Sequence, residues 1–387
     1  MNRANFFLEI KFYSMKNYLM ILCVLFFSSC YGVGQDKKES EVWEMSKSAP
    51  SLNLKEKVKS VSFVALDDSN PDALFKGMNK VLHVDGRFYI LDYMGTSTVF
   101  VFDEKGTFLF KVGNIGQGPG EYYKVTDFDV NNDCIYLLDS GKRMILAYDL
   151  NGKYLKKYSY LGKLEGVNDI IVTDEGNFLL GFDVEMNPKE QVILTDTNFE
   201  IKERILEFTE ETTRNHLKIG SFRRCGKEIV YHYPVSDVFY MFDSKGNISN
   251  VYNLLISEKL PMDVRKDYKN ISKGRKSGSK YSYFNETPFI CNGFLVSTAF
   301  YKSNKAMICA DLNKSLYALN EYSTSSLSLS LSDFNFPVYL SENMVVCQMD
   351  GNLYNFLDKE SKAMLNQTNV DFLEGGGTLL VIYHLKD

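Results

Sequence analysis

Short apolar runs alternate with polar positions along most of the chain, and turn residues separate them. The stretch Lys80-Val-Leu-His-Val-Asp-Gly-Arg-Phe-Tyr-Ile-Leu-Asp92 contains two such runs, and Ser97-Thr-Val-Phe-Val-Phe-Asp-Glu-Lys-Gly106 with Thr107-Phe-Leu-Phe-Lys-Val112 contains two more. A period of two places alternate side chains on opposite faces of a strand, so this pattern predicts four short strands in succession. The same order returns in Phe128–Asp139, Ile145–Gly152 and Lys153–Tyr158. Aligning the aspartates of the third-strand turn gives Asp103, Asp149, Asp196 and Asp243, spaced by 46, 47 and 47 residues. Further copies follow at Asp311 and His384, after 68 and 73 residues. A four-stranded unit repeated near this period predicts an all-β, six-bladed β-propeller with antiparallel blades.

The turn chemistry explains the recurrence. Asp accepts hydrogen bonds from backbone two residues on, and Gly adopts positive φ at little cost, so Phe102-Asp-Glu-Lys-Gly106 reads as a hairpin with a structural aspartate. The third and fifth copies lack the glycine, and Asn198 and Asn313 are expected to take the left-handed position there. The last repeat supplies strands at Phe336–Leu340, Met344–Gln348 and Thr378–Leu385 but no fourth. Val58-Lys-Ser-Val-Ser-Phe-Val-Ala-Leu66 alternates like a strand and belongs to no repeat, so it is expected to complete the last blade and close the ring.

The N-terminus breaks the pattern. Met15-Lys16 leads into an apolar run from Tyr18 to Phe27, then Ser28-Ser29-Cys30. The run is shorter than the ~20 residues of a membrane-spanning helix, and its flanks are those of a signal peptide. Residues 1–29 are therefore read as a signal, with Met15 the expected start. Cys30 is read as the lipidated first residue of the mature chain, and residues 30–54 as a flexible tether ahead of a propeller at 55–387. This places the protein in a bacterial envelope, anchored on the outer membrane with its periplasmic or its surface side. The five remaining cysteines, Cys134, Cys225, Cys291, Cys309 and Cys347, are widely spaced within apolar runs and read as core residues, not a disulfide or metal framework. With 25 Tyr and 28 Phe the composition suits sheets, and a net charge of -5 speaks against nucleic-acid binding.

In a propeller, connections from second to third strands and from fourth strands to the next blade share one face. Every long insertion falls there: 113–122, the basic segment 257–286, and 350–377, where Tyr354–Leu365 has helical spacing. Long loops on a rigid scaffold carry binding residues. Candidate ligand-binding residues on this face are Gln117 and Glu121 in the Gly-rich loop, the strand-end aspartates Asp92 and Asp139, and Arg143, Arg223, His232 and Arg275. The Gly-rich loop matches neither dinucleotide nor P-loop patterns, and a tight inter-blade corner is the plainer reading. No nucleophile, paired-carboxylate or metal-ligand motif is present, so no cofactor, metal or catalytic residue is assigned.

The acylated Cys30, the loop Gly116-Gln-Gly-Pro-Gly-Glu121, the Phe-Asp-x-x-Gly repeats and the terminal Leu380-Val-Ile-Tyr-His-Leu-Lys386 together resemble the six-bladed β-propeller lipoproteins of Bacteroidetes-type bacteria. That family is distantly similar to NHL and TolB-like propellers, and Glu374-Gly-Gly-Gly377 departs from its usual acidic Asn-Pro segment. Its members are mostly without assigned function, so no catalytic residue carries over from the resemblance. The rigid ring, its one elaborated face, the lipid tether and the lack of a catalytic set point instead to an envelope lipoprotein that binds a protein, peptide or glycan partner without catalysis. The alternative is a propeller enzyme, a metal-dependent lactonase-like hydrolase or a lyase, acting at the central channel.

Overall fold

The computed structural model describes residues 41–45, 51–131, 133–210, 212, 220–256, 260–265, 281–302, 304–322 and 329–386. Six sheets, each with four antiparallel strands, form the six expected blades. Blade one runs outward through Lys80–Val84, Arg87–Asp92, Thr98–Asp103 and Phe108–Lys111. The first strands of blades two to six are Asp127–Asn131, Val167–Val172, Phe222–Cys225, Phe289–Cys291 and Pro337–Leu340. Second and third strands are apolar on both sides, Phe88 to Leu91 being at most 1% exposed. This follows from packing a sheet between two neighbours. Leu82, Tyr89 and Val101 of blade one pack with Phe128, Ile135 and Leu146 of blade two, whereas Val81, Ile90 and Phe100 pack with Val346, Leu380 and Ile382 of blade six. The core is therefore a set of wedges between blades.

The ring closes as expected. Val58–Ala65 pairs antiparallel with Thr378–Leu385, Val58 opposite Leu385 and Ala65 opposite Leu379, to complete blade six. At the closure, the Asp67 N–H donates to the Gly106 carbonyl at 2.8 Å, tying the N-terminal segment to the hairpin of blade one. Part of the segment 30–54, expected to be a flexible tether, is built into the ring. Glu41–Met45 adds in parallel to Ile248–Ile256 at the edge of blade four, where the buried Trp43 donates from Nε1 to the Leu312 carbonyl at 3.2 Å. Leu52 and Leu54 are buried too. A parallel edge addition needs no hairpin, so no turn signal announces it, and it covers backbone groups an edge would expose.

The turn aspartates repeat one geometry. Asp103 Oδ1 accepts from the N–H groups of Lys105 and Thr107 at 2.9 and 2.8 Å. Asp149, Asp196 and Asp243 do the same two and four residues on, each at 2.9 Å. The left-handed residue in the copies without glycine is not asparagine, however, but Phe199 (φ 62°) and Ser315 (φ 54°). Phe199 is held in that form by its ring, packed on Tyr160 and Phe178. The insertion of blade six is likewise three short helices, Gly351–Asn355, Lys359–Lys362 and Gln367–Glu374, and not one helix over 354–365. Asp358 interrupts it by capping the second helix, accepting from Ser361 N–H at 2.7 Å. Cys225, Cys291, Cys309 and Cys347 are buried free thiols and Cys134 is half-buried; burial pushes the Cys225, Cys309 and Cys347 thiols up.

Candidate functional site

Several candidate residues are occupied in building the face. Asp92 is fully buried and accepts from the N–H groups of Gly95, Thr96 and Lys76 at 2.9, 2.9 and 3.0 Å. Asp139 takes the equivalent role one blade on, accepting from Lys142 N–H at 2.9 Å and Tyr123 N–H at 2.6 Å. Both cap turns, and neither carboxylate faces solvent. Within the Gly-rich loop, Glu121 accepts from Gly118 N–H at 2.7 Å, and Asn114–Ile115 pairs with Glu121–Tyr122. The Glu121 carboxylate lies close over Gly116, where an added Cβ would displace it. The loop is an inter-blade corner, with Gln117 exposed at its tip. Arg143 pairs with Glu165 at 2.7 Å, half-exposed. His232 is turned into its blade, stacked on Phe239 at 4.5 Å between ring centres and bonded through Nε2 to the Ser236 carbonyl. Arg275 and Cys30 lie outside the described residues.

Arg223 is different, and it leads into the channel. First strands run from the elaborated face toward the plain one, so their opening residues ring the channel mouth. There Lys80 of blade one and Asp127 of blade two form an ion pair at 2.8 Å, both almost wholly buried. Asp127 also accepts from Ile170 N–H at 2.9 Å, Asp129 from Val172 N–H at 2.8 Å, and Asp169 from Ser221 N–H at 2.8 Å. In each case an aspartate of one blade satisfies a backbone donor on the inner edge of the next blade, in its first strand or, for Ser221, just before it, where no ladder partner exists. Deeper in, Arg224 of blade four reaches blade two, with Nε and Nη2 on the Asp129 carboxylate at 3.1 and 2.7 Å. The Cys225 thiol meets the Leu340 carbonyl of blade six at 2.7 Å. These contacts join blades that are not neighbours, so they bridge the channel below its charged mouth.

Burial pushes the Asp127 carboxyl up to about 6 against the opposing pull of Lys80, with Asp169 adding repulsion. Burial likewise pushes the Arg223 guanidinium down, while Glu286, Asp127 and Asp169 oppose it. Arg223 lies over the Phe289 ring at 4.7 Å, and its Nε has no hydrogen-bond partner in the fold.

Around this mouth the elaborated face carries apolar side chains. Among the described residues, eleven large apolar side chains are exposed. Eight of them lie in connections of this face: Leu74, Met94, Ile115, Tyr123, Leu161, Met186, Phe356 and Met364. Val42, Leu109 and Leu155 are on outer strands, and the plain-face turns have none. Two cavities open among the same connections. One of about 570 Å³ between blades three and four is lined by Gln191, Glu207, Tyr240, Asn253 and an Asp237–Arg265 ion pair. The other, of about 490 Å³, lies between the blade-six helices and Lys76.

Lys80, Asp127, Asp129, Asp169 and Arg224 escaped the sequence reading. Their signal was present: each is a charge set inside an otherwise apolar first strand, a place where an unpaired charge is costly.

A family model described as a domain of unknown function, DUF4934, matches residues 40–376. No curated protein matches the sequence. Among solved structures, a Bacteroides fragilis protein thought to be exported superposes with a TM-score of 0.67 at 15% identity, covering 89% of this chain and 99% of its own. A DUF4221-family protein of Bacteroides vulgatus gives 0.52 at 10% identity, covering 85% and 97%. At these identities the likeness is one of fold.

Proposed function

We propose that this chain, which belongs to the DUF4934 family, is an exported propeller, lipid-anchored at Cys30, that binds a partner protein of the envelope through its elaborated face. The observation that carries the reading is the one-sided distribution of exposed apolar side chains. Exposed apolar groups scattered singly need no explanation, but their concentration on one face of a rigid scaffold marks an interaction surface. The wedge-packed ring presents these loops with little ordering cost, which favours binding.

The test is a quantitative capture from envelope extract using the mature protein. Replacing Met94, Tyr123 and Met186 with Glu should reduce recovery of the partner about tenfold or more, on the scale of truncating interface anchors. Replacing Leu109 and Leu155 with Glu should not. Equal recovery by both variants would refute the reading. For the anchor, Cys30→Ser should move the protein from the membrane to the soluble fraction of the envelope.

The rival reading, an enzyme acting at the channel mouth, has the Asp127 carboxyl in its favour, because a carboxyl raised to about 6 exchanges protons near neutrality.

A further inference from the structure

The channel mouth contains two buried donors that the fold does not use. Ser221 is 2% exposed and its Oγ has no hydrogen-bond partner. Two residues on, in the blade-four first strand Phe222–Cys225 that Ser221 immediately precedes, Arg223 Nε is also buried without a partner. Blade five faces them: Thr287 Oγ1 donates to the Ser221 carbonyl at 2.9 Å, and Phe289 supports the guanidinium. The neighbouring Arg224, by contrast, is fully engaged by Asp129 and the Val172 carbonyl. Buried polar groups are almost always satisfied, and the exceptions concentrate where a ligand completes the set.

We infer that Ser221 and Arg223 form an oxyanion-binding pair for the carboxylate of a small ligand entering the channel from the elaborated face. A planar guanidinium beside a hydroxyl donor suits a carboxylate. The surrounding acids narrow the class further. Asp127 and Asp169 at the mouth, with Glu286 exposed beside it, disfavour a dianion such as phosphate in a site screened from water. They favour a monoanion that brings its own hydroxyl or ammonium donors: a sugar acid, a hydroxy acid, an amino acid or a peptide carboxy terminus. This site is separate from the apolar rim, so protein docking and ligand binding stand or fall independently.

Thermal unfolding in sodium gluconate, in the dipeptide Ala-Gly and in its C-terminal amide, each matched against sodium chloride, tests the inference and separates the sources. A probe at about ten times its Kd should raise the Tm of the wild type by about 2 °C. Response to gluconate alone assigns a sugar or hydroxy acid; response to Ala-Gly but not its amide assigns an amino-acid or peptide carboxylate. Arg223→Gln should abolish the response. Ser221→Ala should weaken binding about tenfold, read from the concentration dependence, without lowering the Tm in chloride, because its hydroxyl holds nothing in the fold. That second variant keeps the test intact if Arg223→Gln fails to fold. No shift with any probe, or a Ser221→Ala response equal to wild type, overturns the inference.

Discussion

The closure of the ring makes a sharp demand on one residue. Gly106 sits in the outer hairpin of blade one with φ +85°, and a Cβ there would lie 2.0 Å from the Ala65 carbonyl oxygen of the closing strand. Gly106→Ala therefore carries two penalties. The left-handed backbone costs about 1 kcal/mol for any residue with a Cβ. The overlap with backbone cannot be relieved by rotating a side chain, so the hairpin must part from the closing strand. That breaks the Asp67 N–H to Gly106 carbonyl bond at 2.8 Å, worth about 1 kcal/mol, and the disturbed packing adds a similar amount. The expected loss is about 3 kcal/mol. Gly176 is the control: it has a similar φ of +76° but no atom within 4 Å of the added Cβ, so Gly176→Ala should cost only about 1 kcal/mol. Urea unfolding followed by far-UV circular dichroism and by fluorescence of Trp43, the single tryptophan, reads both variants. Trp43 lies on blade four, so its transition reports whether loosening the closure lowers the stability of the whole ring. If Gly106→Ala is no less stable than Gly176→Ala, or if Trp43 unfolds unshifted, closure by residues 58–65 does not hold the ring together.

Other consequences follow from the channel and the insertions. Because burial raises the Asp127 carboxyl to about 6, the native chain holds a proton between about pH 4 and 6 that the unfolded chain has released; wild-type stability should rise relative to Asp127→Asn as pH falls from 7 to 4.5, with a slope up to about 1.4 kcal/mol per unit, and a flat difference would refute this. Asp129→Ala strands the buried Arg224 and should cost about 3–5 kcal/mol, whereas Glu165→Ala, which breaks the half-exposed pair with Arg143, should cost less than about 1 kcal/mol in the same urea titration. Asn366→Ala removes the cap that accepts from Asn369 N–H at 2.8 Å and should lower stability by about 1 kcal/mol.

The fold was legible because its signals are local and repeated. The Asp turns count the blades, and the orphan strand Val58–Ala65 matches the one vacancy the count leaves. What was hidden depended on partners distant in sequence. Trp43 reads as one aromatic in a polar tether until blade four supplies its pocket. Phe199 in a left-handed turn violates local preference, and only Tyr160 and Phe178 from elsewhere make it tenable. The site was harder still. Asp92 and Asp139 look like ligands at strand ends, yet nearby N–H groups consume them. The charges that meet at the channel, from Lys80 to Arg224, come from four different blades, and only ring closure brings them together. Arg223 was visible as a cation, but its lack of a partner is a property of the folded neighbourhood.

The central claim is that the elaborated face is the binding face. Photo-crosslinking in living cells measures this most directly, with a benzophenone amino acid placed in turn at Met94, Tyr123 and Met186 on that face and at Leu109 and Leu155 on the outer strands. The account predicts one discrete crosslinked species shared by the three face positions and absent from the two outer ones. The same species at Leu109 or Leu155, with none at the face positions, would contradict it.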